Sequence, residues 1–472
     1  MVFSSNVFLI VFLPIFLICY FACPKRWRNL VLLLFSIGFY AYGAPTFVFL
    51  LLGSIVINFY LVKLMYKSEN QSHKKLFSGL AILVSLGLLA YFKYANFFVD
   101  NLNALLSAVG LQPFTFAKVL LPIGISFFTF QSITYIVDAY RGHHPPMERL
   151  SDYMLYIIMF PQLIAGPIVR YCDIADEIRH REQNWAESLQ GFYRFVIGLS
   201  KKVLIADVIG HQVDMLLTGD LMTMNTGTAW IAIIAYTIQL YFDFSGYSDM
   251  AIGLGKIMGF HFPENFDNPY NSASISEFWR RWHITLGTFM RNYLYIPLGG
   301  NRCSKPRMYF NLWVVFLLSG LWHGANWNFV LWGAYHGFWL VLERMGLDKF
   351  YEKIGKIPSV ILTFIIVTVG WALFRIENIS DAFTFISRLF AFDFQSIIPI
   401  NDLHFCTTLI VALVFAFISL SSFGKKCQNL VFYTQFSKKQ HLAAWSVCVF
   451  MLIFCLSALN TVGFSPFIYF RF

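Results

Sequence analysis

The sequence predicts an all-α polytopic membrane protein, and three features support this fold class. The chain of 472 residues is 58% hydrophobic and only 13% charged, whereas soluble domains carry about 25% charged residues. Its apolar residues form long runs, and phenylalanine (53) and tryptophan (12) are abundant, as suits lipid-facing surfaces and interfacial belts. Glycine and proline interrupt several of the runs. We therefore expect the lipid bilayer to surround most of the chain.

The apolar runs are the candidate membrane spans, and several are shorter than the roughly 20 residues that a full crossing needs. Some should therefore be re-entrant or buried helices, because irregular backbone at membrane depth is tolerated only inside protein or around water. The sequence shows no repeat and no linker, so it predicts a single membrane domain over residues 1–472. The candidate spans are 6–22, 28–42, 45–65, 76–92, 119–138, 151–168, 190–210, 228–242, 308–320, 326–343, 357–375, 404–422 and 442–461.

The charged residues predict the orientation of the chain. The net charge of +10 comes from basic residues in short loops between apolar runs, which is typical of cytoplasmic loops and does not indicate nucleic-acid binding. No lysine or arginine precedes Lys25, and the lysine-rich loop 423–441 has no acidic residue. These charges predict that the N-terminus and the tail, residues 462–472, lie on the outer face. The eight cysteines include no C-x-x-C pair, so no metal site is predicted.

Residues 321–327, LWHGANW, place a single imidazole inside an apolar, tryptophan-rich run. An ionisable side chain at membrane depth is costly, so one that is present is a candidate for function. A neutral imidazole accepts a proton near pH 7, which makes His323 a candidate general base. The structural alternative is a buried histidine bonded to a backbone carbonyl. No acidic residue lies within ten residues before His323, so a partner must come from elsewhere; Asn326 is a candidate substrate-orienting residue.

A second polar stretch, residues 277–302, is rich in arginine. Its arginines, flanked by tryptophans, are typical of an interfacial helix whose cations reach the membrane surface. Guanidinium groups also bind phosphate, so the stretch could instead hold the phosphates of a cytoplasmic cofactor. No Walker or dinucleotide-binding fingerprint is present, and nucleotide hydrolysis is therefore not supported. The candidate phosphate ligands are Arg280, Arg281, Arg291 and Arg302.

Residues 241–249, YFDFSGYSD, place carboxylates and hydroxyls at the end of an apolar run. Asp243, Ser245 and Asp249 are candidates for orienting a substrate or a histidine. A Ser-His-Asp triad can be written with Ser245, but the G-x-S-x-G elbow is absent, and a helix boundary capped by Asp or Ser is favoured. Gln131 lies in another polar stripe, which either faces a cavity or makes interhelical hydrogen bonds.

Residues 465–472, SPFIYFRF, are too apolar for a solvated segment. Either this segment lies on the membrane surface, or it folds back and presents the Tyr469 hydroxyl to a site.

Long motifs run along nearly the whole chain. Four of them are SGYSDM at 245–250, FWRRWH at 278–283, YIPLGGNR at 295–302 and GLWHGA at 320–325. Together they resemble the membrane-bound O-acyltransferase (MBOAT) family. The motifs similar to its alginate O-acetyltransferase branch are FSS at 3–5, LPIGISFFTFQ at 121–131 and FPQLIAGP at 160–167. One departure is Asn292, where that branch often has an aspartate.

The resemblance implies a ring of about 11–13 transmembrane and re-entrant helices around a central funnel, with a catalytic core at about 119–343. It implies that His323 is the central catalytic histidine and that His283 is the second histidine, near the cytoplasmic mouth. Tyr469, in an F-x-Y-x-x-F pattern of the tail, would carry the acyl group. The implied donor is acetyl-CoA, with no metal. The implied partner is an SGNH-type acetyltransferase on the periplasmic or extracellular side of a bacterial cytoplasmic (inner) membrane.

We therefore expect an O-acetyltransferase that passes an acetyl group from cytoplasmic acetyl-CoA across the membrane to an extracytoplasmic polysaccharide. His323 would deprotonate the attacking hydroxyl, since a phenol of pKa about 10 needs such help at neutral pH. Alginate, another exopolysaccharide and peptidoglycan all fit as acceptors. Two alternatives remain open: D-alanyl or other acyl transfer to teichoic acid, lipid or protein within the same family, and a polysaccharide transporter or flippase, which would explain broken helices.

Overall fold

Helices form the regular secondary structure of the residues that the computed structural model describes, which are 2–394, 402–462 and 466–468. Within these ranges there is no β-strand, and an isolated β-bridge joins Phe266 and Trp282. The predicted all-α class is confirmed. The helices belong to two compact units: Met1–Gln183 with Met258–Pro263, and Asn184–Ile257 with Glu264–Phe472. The single domain expected from the sequence stays a prediction.

The first unit contains helices α1 to α9, and short π- or 3₁₀-helical turns precede or join some of them. Their bounds are α1 (Leu13–Ala22), α2 (Arg28–Gly43), α3 (Val48–Lys67), α4 (Gln71–Leu89), α5 (Ala95–Ala108), α6 (Ile125–Arg141), α7 (Leu150–Ile158), α8 (Phe160–Leu163) and α9 (Tyr171–Arg179).

The second unit contains helices α10 to α22. Their bounds are α10 (Trp185–Ser200), α11 (Asp207–Leu217), α12 (Thr226–Met258), α13 (Ile275–Arg281), α14 (Ile284–Phe289), α15 (Lys305–His323), α16 (Trp327–Leu342), α17 (Asp348–Ile354), α18 (Lys356–Arg375), α19 (Ile379–Leu389), α20 (Leu403–Phe417), α21 (Ser422–Phe432) and α22 (Lys438–Val462).

Five helices of the described ranges are long and apolar enough to cross a membrane, which agrees with the polytopic fold. One of them differs from the sequence-based boundaries. The candidate span 76–92 lies inside a continuous helix of 38 residues, because a π-helical turn at Ala90–Tyr94 joins α4 to α5. The five helices are Val48–Lys67, Gln71–Ala108, Lys356–Arg375, Leu403–Leu420 and Lys438–Thr461.

Helix α12 also extends beyond its candidate span, 228–242, and continues unbroken to Met258. The helix boundary expected near Asp243 and Ser245 is therefore wrong. Both carboxylates of this stretch are neutralised inside the second unit instead of capping a helix end. Asp243 pairs with Lys202 at 2.6 Å, and Asp249 pairs with Arg194 at 2.9 Å. Because these acids face paired cations, the helix can remain buried past the end of its apolar run.

Glycines set the distance between α10 and α12. A Cβ at Gly198 would lie 2.5 Å from the backbone oxygen of Gly246, and one at Gly253 would lie 2.6 Å from that of Gly191. In each helix the two glycines are seven residues apart, so they recur on one face after two turns. The missing side chains let the two backbones touch, and this contact fixes the part of α12 that carries Asp243 to Asp249.

A similar contact joins α15 and α16. A Cβ at Gly320 would overlap the backbone oxygen of Phe329, and one at Gly333 would overlap that of Phe316. Gly320 is one turn before His323 in α15. The close approach of these two backbones therefore sets where the His323 imidazole lies relative to α16.

Candidate active site

His323 is the last residue of α15, and its side chain is 5% exposed. Its Nδ1 lies 2.7 Å from the backbone oxygen of Ser319, one turn earlier. A carbonyl oxygen can only accept a hydrogen bond, so Nδ1 carries the proton that is donated, and Nε2 is the basic nitrogen of the neutral ring. The carbonyl bond expected for a structural histidine is therefore compatible with a general base, because it fixes the tautomer that a base requires.

Aromatic rings hold the His323 imidazole from several sides. Its centroid lies 4.9 Å from those of Trp322 and Trp332 and 5.5 Å from that of Phe374, in edge-to-face contacts. Such contacts restrict the orientation of the ring. The imidazole is thus fixed in position within an apolar environment.

His283 lies between α13 and α14 in a left-handed backbone conformation, with φ 46° and ψ 54°. This conformation is uncommon for a residue other than glycine, and such strain concentrates at functional sites. Two contacts close the loop around it: the bridge between Phe266 and Trp282, and a hydrogen bond from the Ile284 amide to the Asn265 backbone oxygen at 2.9 Å. The loop thereby brings a strained histidine into the core.

The side chain of Asn265 holds the His283 ring. Its Oδ1 lies 3.0 Å from His283 Nδ1 and also accepts a hydrogen bond from the Thr285 hydroxyl at 2.9 Å. Its Nδ2 donates to the Ser248 hydroxyl of α12 at 3.0 Å. Since the amide oxygen is an acceptor, Nδ1 is the donor here too, and Nε2 is again the basic nitrogen.

The two histidines both lie near one tryptophan. The Trp322 ring centroid is 6.1 Å from that of His283 and 4.9 Å from that of His323. Burial, and secondly the charge that His323 would carry, lower the pKa of His283 well below its usual range. The lowered pKa favours the neutral form of His283, and the site contains two closely placed, buried imidazoles.

A buried carboxylate secures the start of α13, which leads to His283. Glu343, 3% exposed, accepts hydrogen bonds from the amides of Ile275 (2.5 Å) and Ser276 (2.9 Å). The Ser274 hydroxyl also caps this helix by accepting from the Glu277 amide at 3.0 Å. A helix N-terminus favours negative charge, so the buried carboxylate has a suitable partner.

The acidic residues of α12 take part in two buried ion clusters. Lys201 lies 2.6 Å from Asp249, which Arg194 also contacts. Arg194 in turn bonds Glu264 through both of its terminal nitrogens, at 2.6 and 2.5 Å. Ser245 lies between Asp243 and Asp249 in the sequence, and its side chain is buried. Its hydroxyl has no hydrogen-bond partner among the described residues, and none of their contacts joins it to a histidine.

A large cavity adjoins the His283 network. Its volume is about 610 Å³, its lining is mainly aliphatic and aromatic, and it reaches Ser245, Ser248, Asp249 and Asn265. Because Asn265 bonds His283, this space ends beside one of the two histidines. An apolar cavity with a few converging polar groups is the usual form of a small-molecule site.

A smaller, polar cavity of about 250 Å³ meets the larger one. Three cations line it, Arg281, Lys356 and Lys425, together with the carboxylates of Asp267 and Glu277. Asn268 and Gln428 line both cavities and form a hydrogen bond of 2.9 Å with each other. A polar cavity with a small excess of cations therefore borders a mainly apolar cavity, and the apolar cavity reaches Asn265, the hydrogen-bond partner of His283.

Residues 39–371 match the model of MBOAT, the membrane-bound O-acyltransferase family. The chain belongs to this family. Membership of this family makes the protein an acyltransferase. Its apolar helices agree with an enzyme embedded in the membrane.

Several characterised proteins are similar to this MBOAT chain. It is 46% identical to the probable alginate O-acetylase AlgI of Pseudomonas aeruginosa over 426 residues, which cover 90% of this chain and 81% of that protein. It is 43% identical to the protein of the same description from Pseudomonas putida over 488 aligned positions, which cover 100% of each. The peptidoglycan O-acetyltransferase of Helicobacter pylori is 36% identical over 417 residues, covering 81% of this chain and 78% of that protein.

The arginines predicted to bind phosphate lie at different places on the surface of the second unit of this MBOAT protein. Arg280, Arg291 and Arg302 are exposed. Arg281 pairs with Glu277 at 2.7 Å and is the one among these four that lines the polar cavity. Lys356 and Lys425 join it there through folding, although they lie far away in the sequence.

The remaining predicted site residues have separate locations. Gln131 is fully buried in the first unit, and its side-chain amide has no hydrogen-bond partner among the described residues. Asn326 is half-buried at the N-cap position of α16, three residues after His323. Tyr469 lies outside the described residues.

The sequence interpretation missed several residues that the fold brings to the site. Asn265 has no local signal, because an asparagine in a polar loop is ordinary. Lys202 and Glu343 could have been noticed as charges inside or at the end of apolar runs. His336 could have been noticed too. It is fully buried in α16, and its ring centroid lies 5.2 Å from that of Trp332. The Trp332 ring in turn contacts that of His323.

Proposed function

We propose that this protein passes acetyl groups from cytoplasmic acetyl-CoA across a bacterial inner membrane for the O-acetylation of an extracytoplasmic polysaccharide. The observation that carries the proposal is the buried pair of imidazoles, each with Nδ1 against a hydrogen-bond acceptor, which leaves Nε2 as the basic nitrogen of the neutral ring. The names of the similar proteins supply the acyl group and the kind of acceptor, because alginate and peptidoglycan are both polysaccharides.

The two joined cavities support acetyl-CoA as the donor. The nucleotide end of coenzyme A carries phosphates, which Arg281, Lys356 and Lys425 of the polar cavity could bind. Its long pantetheine arm suits the apolar chamber, which ends beside Asn265 and His283. The thioester would then reach the histidine pair. The proposed mechanism uses the histidines, an acceptor hydroxyl and the thiol of coenzyme A.

In the proposed reaction, His323 Nε2 removes the proton of the attacking hydroxyl as its oxygen bonds to the thioester carbonyl carbon. The carbon–sulfur bond then breaks, and the thiolate of coenzyme A takes the proton back from the imidazolium. The first acceptor in this scheme is the Tyr469 phenol. The product is an acetyl ester that an SGNH-type partner on the outer face would move to a polysaccharide hydroxyl.

The decisive experiment measures acetyl transfer from radiolabelled acetyl-CoA by the purified protein in lipid nanodiscs. We expect label on the protein, or on an added acceptor and partner, and a loss of about 10²- to 10⁴-fold in His323→Ala, as is usual for removal of a general base. A Tyr469→Phe variant keeps the shape and removes the hydroxyl, so full activity there would refute Tyr469 as the carrier while leaving His323 in its role.

The same assay, together with a measurement of polysaccharide transport, separates the alternatives. Label transfer from a D-alanyl carrier protein, with none from acetyl-CoA, would favour the teichoic acid reaction. Equal labelling of wild type and His323→Ala would refute the general-base role. A transporter would move its polysaccharide intermediate at the same rate in both proteins, because transport does not need a base at residue 323.

A further inference from the structure

We propose that Asp243 and Lys202 form a docking site that holds residues 466–468. This inference rests on the proposed function, in which Tyr469, the next residue in the chain, accepts the acetyl group. It assigns to the buried ion pair between Asp243 of α12 and Lys202 the task of anchoring the chain next to the acceptor residue.

The first observation is that the segment is embedded in the second unit. Phe467 is 2% exposed and Ile468 is 5% exposed, and Ile468 belongs to the main hydrophobic core of the unit. This core also contains Phe242 and Phe244, the neighbours of Asp243 in α12. The membrane-surface location considered for this segment is therefore wrong for residues 467 and 468.

The second observation is a main-chain hydrogen bond to a buried carboxylate. The Ile468 amide donates to Asp243 Oδ2 at 3.0 Å, while Asp243 Oδ1 lies 2.6 Å from Lys202 Nζ. Each oxygen of the carboxylate thus has a different partner. A hydrogen bond to an ionised, buried acceptor is stronger than one between neutral groups, so this contact is suited to holding an otherwise short segment.

The third observation is that Lys202 contacts the same segment. Its ammonium lies between Asp243 and Asp207, which is 2.7 Å away. It also lies 3.5 Å from the Pro466 backbone oxygen and 4.6 Å from the centroid of the Phe467 ring. A desolvated cation–π contact of this kind is favourable. The cation therefore contacts two residues of the segment, and the carboxylate contacts the third.

The burial of the Asp243 carboxylate supports the docking role. Asp243 is 2% exposed, and Lys202 contacts both Asp243 and Asp207. A buried charge is costly unless hydrogen bonds satisfy it. The Ile468 amide provides such a bond, so the segment completes the cluster, and the cluster in turn fixes the segment.

The docking site lies close to the proposed chemistry along the same helix. Ser248, which bonds Asn265 in the His283 network, is five residues after Asp243 in α12. At the rise of an α-helix this is about 7.5 Å along the axis. An acceptor segment anchored at Asp243 is therefore held within about two helical turns of a residue in the histidine network.

The test is hydrogen–deuterium exchange of the full-length protein in nanodiscs, with fragmentation that resolves the Ile468 amide. We expect slow exchange in wild type and exchange at least about tenfold faster in Asp243→Ala. Asp243→Asn keeps an acceptor oxygen and should preserve part of the protection. The matched control is Asp214→Ala, which removes another ion pair of the same unit, to Arg375 at 2.7 Å, and should leave exchange at Ile468 unchanged.

A second variant is needed because substituting a buried charge could unfold the protein. Phe467→Ala removes the ring beside Lys202 and leaves the buried ion pair intact, and it should also speed exchange at Ile468 about tenfold or more. Unchanged exchange at Ile468 in both Asp243→Ala and Phe467→Ala would overturn the docking site. Slow exchange in wild type together with faster exchange in both variants would support the docking site. This support holds even if no label reaches Tyr469, a result that would refute only the acyl-carrier role.

Discussion

The two histidines show how side-chain hydrogen bonds prepare a residue for proton transfer. Each has its Nδ1 against an acceptor, the Ser319 carbonyl for His323 and the Asn265 amide for His283. The choice of tautomer therefore belongs to the neighbours of the imidazoles. Substituting those neighbours should change the site without removing a histidine.

Asn265→Ala tests this idea at the scale of one residue. It removes the acceptor of the His283 ring and of the Thr285 hydroxyl, both of which are buried. Leaving a buried donor without a partner costs about 1–3 kcal/mol, so we expect a lower free energy of unfolding and lower acetyl transfer. The measurements are thermal unfolding in detergent and the radiolabel assay.

Asn265→Asp is the matched variant, because it keeps an oxygen that can accept from His283 but loses the bond from Nδ2 to Ser248. We expect it to retain more activity than Asn265→Ala. Equal activity and equal stability in wild type and Asn265→Ala would contradict the role given to this side chain.

At the scale of the elements, backbone contacts through glycine decide where the functional side chains lie. The α10–α12 contact supports the acids of α12, and the α15–α16 contact supports His323. The length of α12 also depends on tertiary contacts. Its acidic residues Asp249 and Asp243 pair with Arg194 and Lys202 of neighbouring segments, so the helix continues where the sequence predicted an end.

Gly198→Ala tests the α10–α12 contact. The added Cβ would lie 2.5 Å from the Gly246 backbone oxygen, and a backbone atom cannot be moved cheaply. We expect a loss of stability of about 1–3 kcal/mol, the usual cost of overpacking, measured as a lower unfolding temperature.

Gly38→Ala is the control for this substitution. Its Cβ would meet nothing within 4 Å in the middle of α2, and alanine is the better helix former, so stability should stay the same or rise slightly. Loss of stability in Gly38→Ala equal to that in Gly198→Ala would show that the close contact is not the cause.

At the scale of the whole molecule, the family match at residues 39–371 includes parts of both compact units. The cavities, the histidine pair and the ion clusters of α12 all lie in the second unit. The first unit contributes the buried Gln131, whose role stays a prediction. Loop charges predict how the whole chain is oriented in the membrane.

Cysteine labelling tests that orientation. In a background without the native cysteines, Ser437→Cys should react with an impermeant maleimide only from the cytoplasmic side, because the lysine-rich loop 423–441 is predicted to be cytoplasmic. Thr46→Cys, between helices α2 and α3, should react only from outside. Both residues are exposed, so reaction of Ser437→Cys from outside would reverse the predicted orientation.

The sequence by itself determined the helical membrane class and the motifs of the family, and it predicted His283 and His323 as candidate site residues. These properties depend on composition, on apolar run length and on residues that are neighbours in the chain, so they can be read locally. The left-handed conformation at His283 could not be read in this way, because the bridge between Phe266 and Trp282 imposes it from outside the motif.

Only the tertiary structure decided which distant residues complete the site. It brought Asn265 to His283, Lys356 and Lys425 to Arg281, and Ile468 to Asp243. These pairs are separated by 18 to 225 positions, and their formation depends on burial and charge balance summed over the second unit. A local pattern cannot contain that information, because a buried charge selects its partner only once the helices have packed.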